Sequence, residues 1–273
     1  MLYADIASFV GPGAAGNRHR LIYSTRFEDF NHPQLKKALV KTANIILLTS
    51  HKRGLYAEFS NLGQPVRRCG SGNIAVAAFA KHYFGAGTAS NGTCNWLLYT
   101  PFERVQIGCD KRSAWYLAQP AVQTPLDHPS LWQHILGCAY RAGCLCGGPG
   151  DYTLLEVSSP PMQIQPSLKR LCHYSRRALI LMHRGAHNNA SMRYFAPQYG
   201  PGEDAATGSA GIQAAAFLRH QYQQNRCQFT QQSARGGHFQ SRWTVNGVQM
   251  RGAARSRIIG ESSADTLALW LQH

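Results

Sequence analysis

Two residues whose side chains can exchange protons each lie just before a short turn of small residues. Cys69 opens the sequence Cys-Gly-Ser-Gly, and Asp204 lies three positions before Thr207, which opens Thr-Gly-Ser-Ala. A helix N-terminus favours the thiolate form of a cysteine, and a carboxyl group in a closed site can titrate near neutral pH. We therefore predict that Cys69 and Asp204 are proton-transfer groups. Thr207 is a third catalytic candidate, although a hydroxyl is a poor acid or base at neutral pH.

Each candidate also has a purely structural explanation. Cys69 could be a small buried residue at a tight turn, Asp204 a solvated acid that complements a helix dipole, and Thr207 a helix N-cap. We interpret Glu203 as structural or solvent-facing. A racemase needs one base on each face of the α-carbon, which Cys69 and Asp204 together would supply. Cys69 alone would give a proton shift or the loss of a β-leaving group.

The two turns open segments that resemble each other. Residues 69–84 and 207–222 are identical at seven of sixteen positions, at an offset of 138 residues. One copy in each half predicts two related domains. Each copy continues as an apolar, alanine-rich run, which is typical of a buried helix, and a Gly-Pro-Gly turn at 200–202 leads into the second. Because helix N-termini attract anions, we expect a carboxylate-binding cleft between the domains, with backbone N–H groups from Gly70, Ser71, Gly208 and Ser209.

The remaining pattern predicts an α+β fold. Short strands dominate both halves, and further helices are predicted at 33–43, 130–140 and 166–172. Strand-rich halves that each surround one buried helix favour this class. We predict a domain of residues 1–120, a second domain of residues 121–255, and a tail, 256–273, that packs back on the first. The join is expected between residues 120 and 125.

The composition narrows the range of partners. The 273 residues carry a net charge of +15, which could indicate nucleic acid, an acidic surface or an anionic substrate. The basic residues are scattered, and no nucleic-acid-binding motif accompanies them, so we interpret the charge as solubilising. We expect a small-molecule substrate with a carboxylate as the partner, no nucleic acid and no membrane, and we leave a homodimer open as the commonest default.

The cysteines and histidines predict reduced thiols rather than a metal site. Eight cysteines in a chain of this length fit no disulfide framework, and with no signal peptide or spanning segment they favour a cytoplasmic location. Cys138, Cys144 and Cys146 lack the paired spacing of a zinc site. His183 and His187 are expected in a solvated loop, because Gly185 separates them. We predict no metal and no cofactor.

Several motifs of the sequence resemble those of a known family. The segment 193–210 reads RYFAPQYGPGEDAATGSA and resembles the E-D-x-x-T-G-S-A signature of the PhzF-type isomerases. The first half is more similar to their fold relatives, the diaminopimelate epimerases, as are two closing stretches. The matching positions are Gly16-Asn17, Asn61-Leu62-Gly63, Cys69-Gly70, Arg235-Gly236-Gly237 and Met250-Arg251-Gly252-Ala253-Ala254.

The resemblance implies two pseudo-symmetric domains, each a β-sheet wrapped around a central buried helix. It also implies cofactor-free proton transfer at the α-carbon of a small amino-acid-like substrate, in a biosynthetic role. It places Asp204 at the family's catalytic aspartate and Cys69 at the epimerases' first catalytic cysteine. Asn17 and Asn61 fall at positions that would contact the substrate, with turn residues as the alternative interpretation.

Several positions depart from both families. Asn44 stands where PhzF-type enzymes have a glutamate, Ser71 where they have a histidine, and Thr207 where the epimerases have a second cysteine. Gln198 and Tyr199 replace the epimerases' Glu-Arg pair. We predict a cofactor-independent isomerase or epimerase, and these departures leave its substrate open. The alternatives are a one-base lyase or dehydratase that uses Cys69, and a non-catalytic PhzF-like binding protein.

Overall fold

The computed structural model describes residues 1–85, 93–200 and 202–271. Pro201 of the predicted turn and residues 272–273 of the predicted tail lie outside these ranges. The helices are α1 (Pro33–Leu39), α2 (Gly70–Phe84), α3 (Pro129–Leu136), α4 (Leu168–Tyr174), α5 (Gly208–Tyr222) and α6 (Ala264–Trp270). The strands are β1 (Leu2–Val10), β2 (Asn17–Ser24), β3 (Ile45–His51), β4 (Gly54–Asn61), β5 (Gln64–Pro65), β6 (Cys94–Tyr99), β7 (Arg104–Cys109), β8 (Ala114–Ala118), β9 (Gln123–Pro125), β10 (Ala142–Cys146), β11 (Tyr152–Glu156), β12 (Ala178–Arg184), β13 (Asn189–Phe195), β14 (Arg226–Gln231), β15 (Gly237–Thr244) and β16 (Gly247–Glu261).

The chain divides into two compact units. The first unit comprises residues 1–10, 18–117 and 251–273, and the second comprises residues 11–17 and 118–250. In the first unit the strand order is β1-β2-β3-β4-β6-β7-β8, with β5 beside β4. The later part of β16 pairs antiparallel with β1.

Helix α2 lies in the core of the first unit. It packs against β1 and β7, and Ile74, Val76 and Phe79 are fully buried. Burying each such side chain contributes roughly 1.5–3 kcal/mol. Tyr23 of β2 packs its ring against Phe79. On another face of the unit, α1 and α6 share a separate apolar cluster with Ile22.

The second unit has the order β15-β14-β13-β12-β11-β10-β9, and the start of β16 lies beside β15. Helix α5 packs against β11, β12, β14 and β15, with its alanines and Phe217 buried. Helices α3 and α4 contribute Trp132, Ile135 and Leu171 to a second apolar cluster with strands β11 and β12. The buried start of α5 is therefore held by strands of its own unit.

The fold is a mixed α/β fold rich in strands, which agrees with the predicted strand-rich mixture of helices and strands. Several individual elements differ from the prediction. Strands β5, β9 and β10 and helix α6 were not predicted. Helix α3 ends at Leu136 rather than near residue 140, because Gly137 adopts φ 73° and caps it. Helix α1 ends at Leu39 rather than Ala43. His183 belongs to β12 and not to a loop, and its Nδ1 lies 3.2 Å from the Val157 carbonyl.

Among the described helices, none combines the length and apolar character that crossing a bilayer requires.

Candidate functional site

Asp204, Thr207 and Asn17 form a hydrogen-bonded cluster in the second unit. Thr207 Oγ1 donates to Asp204 Oδ2 at 2.6 Å, and Asn17 Nδ2 donates to Asp204 Oδ1 at 3.0 Å. The backbone N–H of Ala205 also donates to Oδ1, at 2.9 Å. Every one of these groups donates to the carboxylate, so the cluster stabilises the ionised form of Asp204.

Burial and hydrogen bonding act on Asp204 in opposite directions. Burial raises the pKa of the carboxyl group above its ordinary value, and the nearby Glu203 charge adds to the rise. The hydrogen bonds from Thr207, Ala205 and Asn17 oppose it. A carboxyl group whose pKa is raised by burial, and whose ionised form still receives several hydrogen bonds, has the properties of a general base.

Thr207 is the N-cap residue of α5, but its hydroxyl does not cap the helix. The Thr207 side chain makes no capping hydrogen bond and donates to Asp204 instead. Thr207 was predicted to be either a catalytic residue or a helix N-cap. Its hydroxyl lies against the Asp204 carboxylate and not on the helix backbone. Gly208 is buried and Ser209 is half-buried in the first turn of α5.

Glu203 is held by a buried arginine. Arg193 Nε and Nη2 donate to the two Glu203 carboxylate oxygens at 2.7 and 2.9 Å. Arg193 Nη1 also donates to the Ile164 and Pro161 carbonyls at 2.7 and 3.3 Å. This ion pair joins β13 to the loop that carries Asp204, and it supports the interpretation of Glu203 as a structural residue.

Two residues near Asp204 were missed by the sequence reasoning. Gln231, at the end of β14, is fully buried and hydrogen-bonds both Asp204 and Thr207 through its side-chain amide. Tyr194 of β13 has its pKa raised well above its ordinary value, first by burial and then by the charges of Tyr152, Asp204 and Tyr199. The signal for Gln231 was its inward position in an alternating strand, after buried Cys227 and Phe229.

Cys69 has the same place in the first unit as Thr207 has in the second: it is the N-cap residue of α2. Its carbonyl accepts the first helical hydrogen bond, from Asn73 N–H at 2.9 Å. Its half-buried Sγ lies 3.8 Å from the buried Ser71 Oγ. A side chain at Gly72 would come within 2.9 Å of Sγ, so the thiol lies directly over the first turn of α2, beside buried Gly70.

The two arginines before Cys69 lie near Phe102 and Glu103. The Arg67 guanidinium lies over the Phe102 ring, 5.7 Å from its centroid. Arg68 is close enough to Glu103 to lower the pKa of that carboxyl group, although burial dominates and the net effect is a rise. Both arginines are exposed.

Asn61 and Asn44 support a turn rather than an open binding position. The Asn61 side-chain oxygen accepts from the backbone N–H of Asn44 at 3.4 Å. Asn44 has φ 51°, and Leu62, after Asn61, has φ 49°. The left-handed backbone suits asparagine at position 44. This side-chain contact agrees with the alternative role of Asn61 as a turn residue.

The described cysteines and histidines form no metal centre. Cys144 and Cys146 of β10 bring their sulfurs to 3.7 Å and are both buried, whereas Cys138 is exposed. Within residues 1–85, 93–200 and 202–271, no three histidine, cysteine or acidic residues cluster in a way that could hold a metal ion. His187 is exposed.

Comparisons with known proteins agree with this fold. Residues 155–264 match the family model described as phenazine biosynthesis-like protein. A PhzF family protein from Enterococcus faecalis is 16% identical, with a TM-score of 0.75 over 96% of this chain and 99% of that one. A predicted epimerase from Pseudomonas aeruginosa is also 16% identical, with a TM-score of 0.72 over the same shares of the two chains.

More distant structures share the architecture. A hydroxyproline epimerase from Agrobacterium vitis, solved with bound trans-4-hydroxy-L-proline, is 12% identical, with a TM-score of 0.56 over 97% of this chain and 94% of that one. No curated protein matches the chain. The resemblance expected from the sequence is confirmed: residues 155–264 match the phenazine biosynthesis-like family, and the chain has the fold of the PhzF-type proteins.

Proposed function

We propose that this protein is a cofactor-independent isomerase or epimerase that moves the α-proton of a small, amino-acid-like substrate. The observation that carries the proposal is the Asp204 carboxylate, which accepts from Thr207, Ala205 and Asn17. General bases of this kind typically contribute about 10²–10⁴ in rate. The epimerase neighbours support the reaction class, and the bound hydroxyproline of one of them supports an amino-acid-like substrate.

Asp204 and Cys69 are the proposed proton-transfer groups. Asp204 takes the α-proton, and Cys69, at the start of α2, is the proposed second proton-transfer group. Thr207 supports the Asp204 carboxylate instead of exchanging the proton itself, because its hydroxyl hydrogen is already donated. Asn17 has the same supporting role.

The substrate carboxylate is proposed to bind backbone N–H groups in the first turns of α2 and α5. The first N–H groups of a helix have no intrahelical partner, and the helix dipole favours an anion there. The residues that provide them are Gly70, Ser71, Gly208 and Ser209.

Deuterium exchange tests the proposal without a known substrate. The protein is incubated in D2O with a panel of amino acids, hydroxy acids and proline derivatives, and mass spectrometry and chiral analysis report deuterium gain, inversion and dehydrated products. Matched controls are Cys172→Ala, at an exposed thiol, and Asp127→Asn, at an exposed carboxyl group. Exchange with inversion should be lost in Cys69→Ala and Asp204→Asn and retained in both controls.

Other outcomes discriminate between the alternatives. Elimination or exchange that is lost only in Cys69→Ala would support the one-base lyase. Exchange that persists in a folded Asp204→Asn protein would contradict the role of Asp204. A folded native protein that exchanges no compound in the panel would contradict the proposed substrate class and favour a binding protein.

A further inference from the structure

The amide of Gln231 connects both ends of the loop that carries Asp204. Its Oε1 accepts from the backbone N–H of Thr207 at 2.7 Å, and its Nε2 donates to the Asp204 carbonyl at 2.7 Å. Nε2 also lies 3.3 Å from Thr207 Oγ1. Gln231 is completely buried at the end of β14, so water cannot substitute for these contacts.

These partners determine which way the amide is oriented. A backbone N–H can only donate and a backbone carbonyl can only accept. The oxygen of the amide must therefore face Thr207 N–H, and the nitrogen must face the Asp204 carbonyl. A reversed amide would place two donors against each other and two acceptors against each other. The orientation thus follows from the backbone.

The orientation of the amide has a consequence for the Thr207 hydroxyl. Because Nε2 has no acceptor lone pair, it can only donate to Oγ1. With one lone pair of Oγ1 occupied by this bond, the hydroxyl hydrogen is free to be donated, and its acceptor is Asp204 Oδ2 at 2.6 Å. That distance is typical of a hydrogen bond from a hydroxyl to an ionised oxygen.

We propose that Gln231 is a positioning residue: it directs the Thr207 hydroxyl hydrogen to Asp204 and so holds Asp204 as a proton-accepting carboxylate. This inference rests on the proposed function, in which Asp204 removes the substrate proton.

Other charged groups near Asp204 do not orient the Thr207 hydroxyl. Glu203 is paired with Arg193, and its charge acts only to raise the pKa of Asp204. Tyr194 contributes a phenol whose pKa is raised by burial, so it stays protonated at neutral pH. Tyr152 packs its ring 6.1 Å from that of Tyr194. None of these groups contacts Thr207 Oγ1 in the hydrogen bonds described above.

The test measures the titration of Asp204 itself, in the substrate-free protein. The protein is labelled with 13C at the aspartate side-chain carboxyl carbon, and the Asp204 resonance is identified by its absence in Asp204→Asn. Gln231→Met should raise the Asp204 midpoint by about one pH unit, which is a tenfold change in proton affinity. Thr207→Val should raise it by one to two units, since a hydrogen bond to a charged group is lost, and Thr207→Ser should leave it unchanged.

Gln213→Met is the matched control. Gln213 is also a buried glutamine of the second unit, but its amide oxygen accepts from Ala121 N–H and its contacts do not include Asp204. An unchanged midpoint in Gln231→Met, or a shift as large in Gln213→Met, would overturn the proposal. If Gln231→Met does not fold, an unchanged midpoint in Thr207→Val would still overturn it. Because the titration requires no turnover, it succeeds or fails independently of the exchange assay.

Discussion

The ion pair between Arg193 and Glu203 permits a quantitative test of what holds the Asp204 loop in place. The Arg193 side chain is 8% exposed and that of Glu203 is 23% exposed. Arg193→Met removes both bonds to the carboxylate and the bonds to the Ile164 and Pro161 carbonyls. The methionine fills similar space, so the change is chiefly one of charge and hydrogen bonding.

The size of the effect follows from burial. Breaking a buried ion pair by removing one partner costs about 3–5 kcal/mol, because the other charge is left uncompensated. Glu203 keeps some solvent contact, so we expect the lower end, a loss of about 3 kcal/mol in the free energy of unfolding. Adding Glu203→Gln should restore part of that loss, because no uncompensated charge then remains.

Urea unfolding followed by circular dichroism at pH 7 measures these free energies. Arg18→Met is the matched control, because the Arg18–Asp5 pair has similar length but Arg18 is 56% exposed. An exposed pair of this kind contributes about 0–1 kcal/mol. A loss below about 1 kcal/mol for Arg193→Met, or strictly additive losses in the double variant, would refute the reasoning.

Three further predictions concern other parts of the two units. Burial lowers the pKa of His19 to about 4, so as the pH falls below about 6.5 the unfolded chain binds a proton that the folded protein does not. The free energy of unfolding should therefore drop by about 3 kcal/mol between pH 6.5 and 4. Urea titrations should show a smaller drop in His19→Leu. Gly72→Ala should lower stability by about 1–3 kcal/mol, measured by thermal unfolding, because its Cβ would meet Phe59 at 2.7 Å; an unchanged melting temperature would contradict this. A thiol reagent should modify the exposed Cys138 and Cys172 much faster than the buried Cys144 in the native protein; mass spectrometry after digestion would identify the labelled residues, and rapid labelling of Cys144 would contradict the packing of β10.

The sequence predicted the elements whose local pattern and burial agree. The alanine-rich runs after Cys69 and Thr207 became α2 and α5, because helix propensity and an apolar surface on all sides both favour a buried helix. Strand β10 was missed because it begins with Ala142 and Gly143, two residue types that are depleted in strands. Its pairing with the neighbouring strands β9 and β11 supplies what its own sequence does not indicate.

The site was predicted in part for a comparable reason. Asp204 and Thr207 stand together in a short motif, and their contact is local. Gln231 and Asn17 reach Asp204 from positions 27 and 187 residues away, and nothing local in the sequence specifies those contacts. Arg193 was part of the recognised motif, but its role became visible only from its pairing with Glu203.

The division of the chain into units has a consequence for synthesis. The first unit is completed by residues 251–273, whose strand pairs with β1 at the beginning of the chain. A ribosome releases residues 118–250 before that strand exists, and domains generally fold as they emerge. The second unit can therefore fold while the first still waits for its last segment. Until residues 251–261 are made, β1 presents an unpaired edge, the kind of strand edge that promotes aggregation, and a chaperone that shields this edge would protect the partly synthesised first unit.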